Sequence, residues 1–94
     1  MYTLIETTHF KKDLKKVLKR SVKDLELSFL VMKILKKEGV KGISFSMKPH
    51  KLKGKYNDNW ECHIKPDLLI IWIQIENPKT IKLIRLGLHS DLFK

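Results

Sequence analysis

"LLIIWIQI", residues 68–75, places seven apolar side chains in eight positions. No polar alternation interrupts the run, which is the pattern of a central strand covered on both faces rather than of one lying on a surface. Lys65-Pro66-Asp67 before it and Asn77-Pro78-Lys79 after it are turn formers. Flanking strands are therefore predicted over about 59–65 and over Thr80–Leu86, close enough in sequence to pair as antiparallel hairpins.

The preceding strand reads differently on its two faces. Side chains alternate along a strand, so Trp60, Cys62 and Ile64 point one way and Glu61, His63 and Lys65 the other. One face suits a core and the other suits chemistry. In the last strand Leu83, Arg85 and Gly87 share parity with His89, which sits at or just past its end. Pairing in chain order would let these polar faces coincide. Arg85 inside an apolar strand calls for an anionic partner.

Upstream, YTLIE (2–6) is a short strand, and Thr7 or Thr8 suits a helix cap. Phe10, Leu14, Val17 and Leu18 then follow the spacing of one helix face, with Lys11, Lys12, Lys15, Lys16 and Lys19 on the other side. A second helical pattern runs from Asp24 to Gly39, a glycine placed to cap it. Apolar residues cover nearly its whole circumference, so it is either sandwiched or offers a spare face to a partner. Residues 40–58 read as a basic loop, with a further short strand over Leu52–Tyr56. The order β–α–α–β–β–β predicts one α+β domain over residues 1–94: an N-terminal strand and a two-helix hairpin packed on a small, mainly antiparallel sheet.

The charge is polarised. Residues 11–55 hold fifteen basic and four acidic side chains, while the remainder hold five and six, within a net formal charge of +10. Such a surface attracts polyanions, although a solvated lysine face explains charge alone equally well. The single cysteine, Cys62, excludes an intramolecular disulfide, and neither a signal peptide nor an apolar run of membrane-spanning length is present. A cytoplasmic home without membrane attachment is the expectation.

His50, His63 and His89 are irregularly spaced, and no HExxH or CxxC framework occurs, so no metal site and no cofactor are expected. Cys62 points away from His63 on a strand and is no nucleophile candidate. Singly, each polar residue has an ordinary explanation: Glu61 as a cross-strand charge partner, Asp67 as a turn residue, Phe93 as a plug at the end of the core.

Together, "KPHKLKG" (48–54), "WECHIKPDLLIIWI" (60–73) and "RLGLHSDLF" (85–93) resemble the RelE/ParE toxin superfamily, and most of all its YafQ-like branch. That branch combines D-H-x-L-x-G, R-[DE]-x-H-[VIL]-x-P-D and R-x-G-[ST]-H-x-x-L-F around an apolar strand. The match spans about the last forty-five residues; the helical half agrees in pattern and charge. This sequence departs from the pattern at Lys51, where proline often follows the histidine, and at Glu61, often aspartate. It departs also at Leu68, tryptophan in some relatives, and at Leu88, where a small residue precedes the histidine.

The resemblance implies a RelE-like fold and the toxin of a type II toxin–antitoxin system. It implies a ribosome-dependent, metal-independent endoribonuclease that cleaves mRNA, inhibits translation, and is silenced by a cognate acidic antitoxin in a hetero-oligomeric complex. His50, His63, Asp67 and His89 fall on catalytic positions, Glu61 beside them, and Phe93 on a functional aromatic. Arg85, Lys51 and Lys53 are the expected substrate contacts. Residue chemistry is compatible: imidazoles exchange protons near neutral pH, with His89 or His63 as acid and His50 or Asp67 as base or orienter. Two rival functions share the scaffold or the charge: a ParE-like gyrase inhibitor and a non-enzymatic basic module that binds nucleic acid.

Overall fold

A computed structural model describes residues 1–93. In chain order it forms β1 (Thr3–Glu6), α1 (Thr8–Arg20), α2 (Val22–Glu38), β2 (His50–Lys51), β3 (Trp60–Lys65), β4 (Leu68–Glu76), β5 (Lys79–Leu88) and the single-turn α3 (His89–Leu92), with short 3-10 turns between α2 and β3. The short strand predicted over Leu52–Tyr56 instead forms at His50–Lys51, and Gly54–Tyr56 is a 3-10 turn.

The five strands lie in the order β1-β5-β4-β3-β2. β1 runs parallel to β5, because the helical hairpin carries the chain across the sheet; the other three pairings are antiparallel. Thr7 fastens the crossover: its hydroxyl accepts from Phe10 N at 3.2 Å, capping α1, and donates to the Leu83 carbonyl at 2.8 Å. Ser21 caps α2 by accepting from Asp24 N at 3.1 Å. Gly39 ends α2 at φ +66°, where a Cβ would stand 2.8 Å from the Tyr2 ring. Only glycine meets both demands.

β4 is central and buried on both faces. Leu68, Ile70 and Trp72 join Phe10, Val17, Val31 and Leu35 beneath the helices. Leu69 and Ile71 face the other way, into a smaller cluster closed by Leu92, with Leu52, Tyr56, Ile84 and Phe93 packed against it. Burial on both sides is what the unbroken apolar run requires. On α1 the buried stripe is Phe10, Asp13 and Val17, and Leu18 is half exposed.

Two register shifts break the alternation expected from sequence. Ile71 opposes Arg85 while Trp72 opposes Leu83, so Ile84 is an extra residue in β5. Leu83 consequently faces the helices, while Arg85 shares the face of Ile71; the common parity of Leu83 and Arg85 does not hold. In β3, His63 opposes Leu69 and Lys65 opposes Leu68, which turns Lys65 toward the helices. There its ammonium meets Asp24 at 3.1 Å instead of sharing a face with Glu61 and His63. Bulges of this kind re-aim side chains and cluster near functional sites.

Candidate active site

The sheet face away from the helices gathers most of the residues singled out above. His50 on β2 pairs directly across from Glu61 on β3, and His63 lies two residues further along the same face. Glu61 is almost fully buried, with Oε1 3.3 Å from His50 Nε2 and 3.9 Å from His63 Nε2. The two imidazole centroids are 6.4 Å apart.

Backbone carbonyls set the tautomers. His50 Nδ1 lies 2.7 Å from the Lys48 carbonyl and His63 Nδ1 3.2 Å from the Pro66 carbonyl. A carbonyl only accepts, so each Nδ1 carries the hydrogen and each Nε2 is the nitrogen that loses or gains a proton. Lys48, in the left-handed region at φ 52°, turns its carbonyl toward the ring. Both Nε2 atoms therefore face one carboxyl group.

That carboxyl is poorly satisfied. Glu61 Oε2 is buried without a hydrogen-bond partner among the described residues. Burial pushes the Glu61 pKa above its ordinary value, and the charges of His50, His63 and His89 pull against that rise. The carboxyl and the His50 ring approach to 3.3 Å, within ion-pair reach when the imidazole is protonated.

His89 opens α3 two strands away from His63, about 10 Å by the usual strand spacing. Its amide donates to the Asp67 carbonyl at 3.2 Å, which fixes the start of α3 against the β3–β4 turn. The Asp67 side chain is exposed in that turn. Leu92 of α3 closes the smaller cluster beside Gly87. The Phe93 ring lies 4.9 Å from His89 and meets Tyr56 edge-on at 5.8 Å.

Arg85, expected to clamp phosphate, is engaged within the fold. Its Nε and Nη2 donate to Asp13 at 2.8 and 3.2 Å, and Nη1 donates to the Tyr56 hydroxyl at 3.2 Å. The buried guanidinium holds Tyr56, and through it Phe93, in position. Lys51 points to the opposite face, its ammonium 5.5 Å above the Trp60 ring. Lys53 is exposed in the loop after β2. Cys62 is wholly buried among the helix-side core, where burial pushes its thiol up to about 12.

Two contributors escaped the sequence reading. Asp13 is the lone acid in the lysine run of α1 and occupies the same helical stripe as Phe10, Leu14 and Val17; that spacing is its signal. Tyr56 is the one aromatic in the loop between β2 and β3. Among the described residues, no three or more His, Cys, Asp or Glu side chains converge as metal ligands, and no helix is long and apolar enough to cross a membrane.

The sequence profile of the bacterial type II toxin–antitoxin toxin YafQ matches residues 2–94. Among solved structures, a metal-bound toxin from Helicobacter pylori is 40% identical, covers 99% of this chain and 100% of its own, and superposes with a TM-score of 0.84. YafQ from E. coli is 23% identical over the full length of both chains, with a TM-score of 0.88, which speaks for the fold. YafQ from an E. coli DinJ–YafQ toxin–antitoxin complex is 25% identical, covering 99% of this chain and 98% of that one, with a TM-score of 0.85. No curated protein sequence gives a significant match. With a profile match that runs from the second residue to the last, this chain belongs to the YafQ family of bacterial type II toxin–antitoxin toxins.

Proposed function

We propose that this toxin is a ribosome-dependent, metal-independent endoribonuclease that cleaves mRNA and thereby inhibits translation. The observation that carries the reading is the gathering of His50, Glu61 and His63 on one sheet face, both Nε2 atoms aimed at a single carboxyl, with His89 and Phe93 across the same face.

Cleavage needs a base to take the proton of a ribose 2′-OH, and that oxygen then attacks the adjacent phosphorus. The bond to the 5′-oxygen breaks as an acid protonates it, leaving a 2′,3′-cyclic phosphate and a 5′-hydroxyl. A neutral imidazole Nε2 suits the first task and an imidazolium the second. His50 or Asp67 serves as base or orienter, and His89 or His63 as acid. Glu61, 3.3 Å from His50, orients that imidazole for transfer. Phe93 offers a face on which a base stacks. Lys53 is left free for phosphate, whereas Arg85 supports the site through Tyr56. Groups spread this widely need a substrate held in position, which is the role of the ribosome here.

The cognate partner is an acidic antitoxin. The DinJ–YafQ complex supports an antitoxin partner, and the net charge of +10 supports its being acidic. Leu18, Val22, Phe29 and Leu30 remain exposed on the helices and suit the apolar side of such a partner.

Ribosomes programmed with a defined message test the reading by toeprinting. Wild type should cut the bound message, and His63→Ala and His89→Ala should each lower cutting by about 100-fold to 10,000-fold. An intact message together with stalled DNA–gyrase complexes would overturn it in favour of gyrase inhibition.

A further inference from the structure

The two residues of β2 point in opposite directions. His50 opposes Glu61 and faces the imidazole cluster; Lys51 opposes Trp60 and faces a separate cleft of about 560 Å³. Lys37, Lys41 and Lys79 line that cleft with Lys51, against the acids Glu38 and Glu76. Two of the ammonium groups are held over aromatic rings: Lys51 over Trp60 at 5.5 Å and Lys79 over Tyr2 at 5.3 Å.

The floor is built and polar. The Tyr2 hydroxyl lies 2.8 and 3.0 Å from the two Glu76 oxygens, Gln74 donates to Glu76 at 2.8 Å, and the Val40 amide donates to Gln74 at 2.9 Å. These neutral donors hold Glu76 in place, and the four lysines outnumber the two acids of the cleft. A cleft with four cations against two acids suits a phosphate chain.

We infer that this cleft is a second RNA subsite, which grips the phosphate backbone of the same strand whose scissile bond lies on the histidine face. The inference rests on the ribonuclease reading. Its geometric ground is the edge itself: β2 is the last strand of the sheet and only two residues long. His50 and Lys51 are consecutive on that edge and face opposite sides of the sheet, so one strand passing round it meets both. The cleft then acts on grip and register rather than on proton transfer, and Lys51 belongs to it instead of to the reactive cluster.

The test uses fluorescence anisotropy with uncleavable 2′-O-methyl RNA, from about 4 to about 12 nucleotides, the range of single-domain site sizes. Wild type is compared with the triple substitution Lys37→Ala, Lys41→Ala and Lys79→Ala, three exposed side chains. For the longer oligonucleotides, the slope of log affinity against log salt should fall by about 2, from about 0.7 per lost phosphate contact on single strands. The shortest should bind both proteins alike, and the corresponding triple arginine variant should restore the slope. Equal slopes at every length would overturn the subsite. So would unchanged RNA binding with weakened capture of an acidic antitoxin, which would make the cleft a protein interface, or weakened binding to empty ribosomes alone, which would assign it to ribosomal RNA. Because the probe cannot be cut, failure here is separate from failure of the ribonuclease reading, which toeprinting decides.

Discussion

Arg85 and Asp13 form a two-pronged ion pair at the junction of β5 and α1, with Nε–Oδ2 at 2.8 Å and Nη2–Oδ1 at 3.2 Å, and the Leu86 amide donates to the same Oδ2 at 2.9 Å. Both side chains are buried, so neutralising the acid leaves the guanidinium without a counter-charge and one amide oxygen for three donors. Asp13→Asn should cost about 3–5 kcal/mol in urea unfolding, the range for breaking a buried pair. For a domain of this size that lowers the thermal midpoint by roughly 12 °C or more. Loss of under about 1 kcal/mol would mean that water reaches the pair and screens it.

Asp67 separates turn chemistry from catalysis. Its backbone carbonyl receives the His89 amide, and its side chain is exposed. Asp67→Asn keeps the carbonyl and the turn, so its melting curve should match wild type. As base or orienter in the proposed reaction, the same carboxylate is needed, and cutting of ribosome-bound message should fall about 100-fold or more. Undiminished toxicity in the variant would return Asp67 to the status of a turn residue.

Much of this arrangement was legible before any coordinates. The unbroken apolar run at Leu68–Ile75 identified the central strand because only two-sided burial tolerates it, and the spacing of Glu61 and His63 placed both on one face. The three motif segments aligned with a known family pattern. Other features depended on tertiary pairing. Whether His50 meets Glu61 is decided by a two-residue strand with hardly any pattern of its own. Ile84, the extra residue in β5, looks like any other apolar strand residue, so parity counted through it placed Arg85 with Leu83. Arg85 was recognised as needing an anion, but its partner lay seventy-two positions away among lysines.

Glu61 gives the fold a pH signature. Burial, opposed by the three histidines, holds its carboxyl pKa above the ordinary 4.5. Between 4.5 and that raised value the folded protein keeps a proton that the unfolded chain has released, so stability falls as pH climbs through the window. Glu61→Gln does not titrate. The difference in thermal midpoint, variant minus wild type, should therefore rise with pH across the window and then level off. A difference that falls instead would show that ionised Glu61 is stabilised by its imidazoles more than it is penalised by burial.

Cys62 should be silent in chemistry despite lying between Glu61 and His63. It packs on the helix side, fully buried, with its thiol pushed up to about 12 by burial and secondarily by the Glu61 charge. The raised pKa keeps the thiol protonated at pH 8, and the sulfur is fully buried. Ellman's reagent should leave the native protein unlabelled and label it stoichiometrically in urea, at a rate set by unfolding. Cys62→Ala should lose about 1 kcal/mol or somewhat more for the cavity it leaves while cutting message as wild type does. Prompt labelling of the folded chain would require Cys62 to share the exposed face of His63, and the alternation of β3 would then be wrong from Trp60 onward.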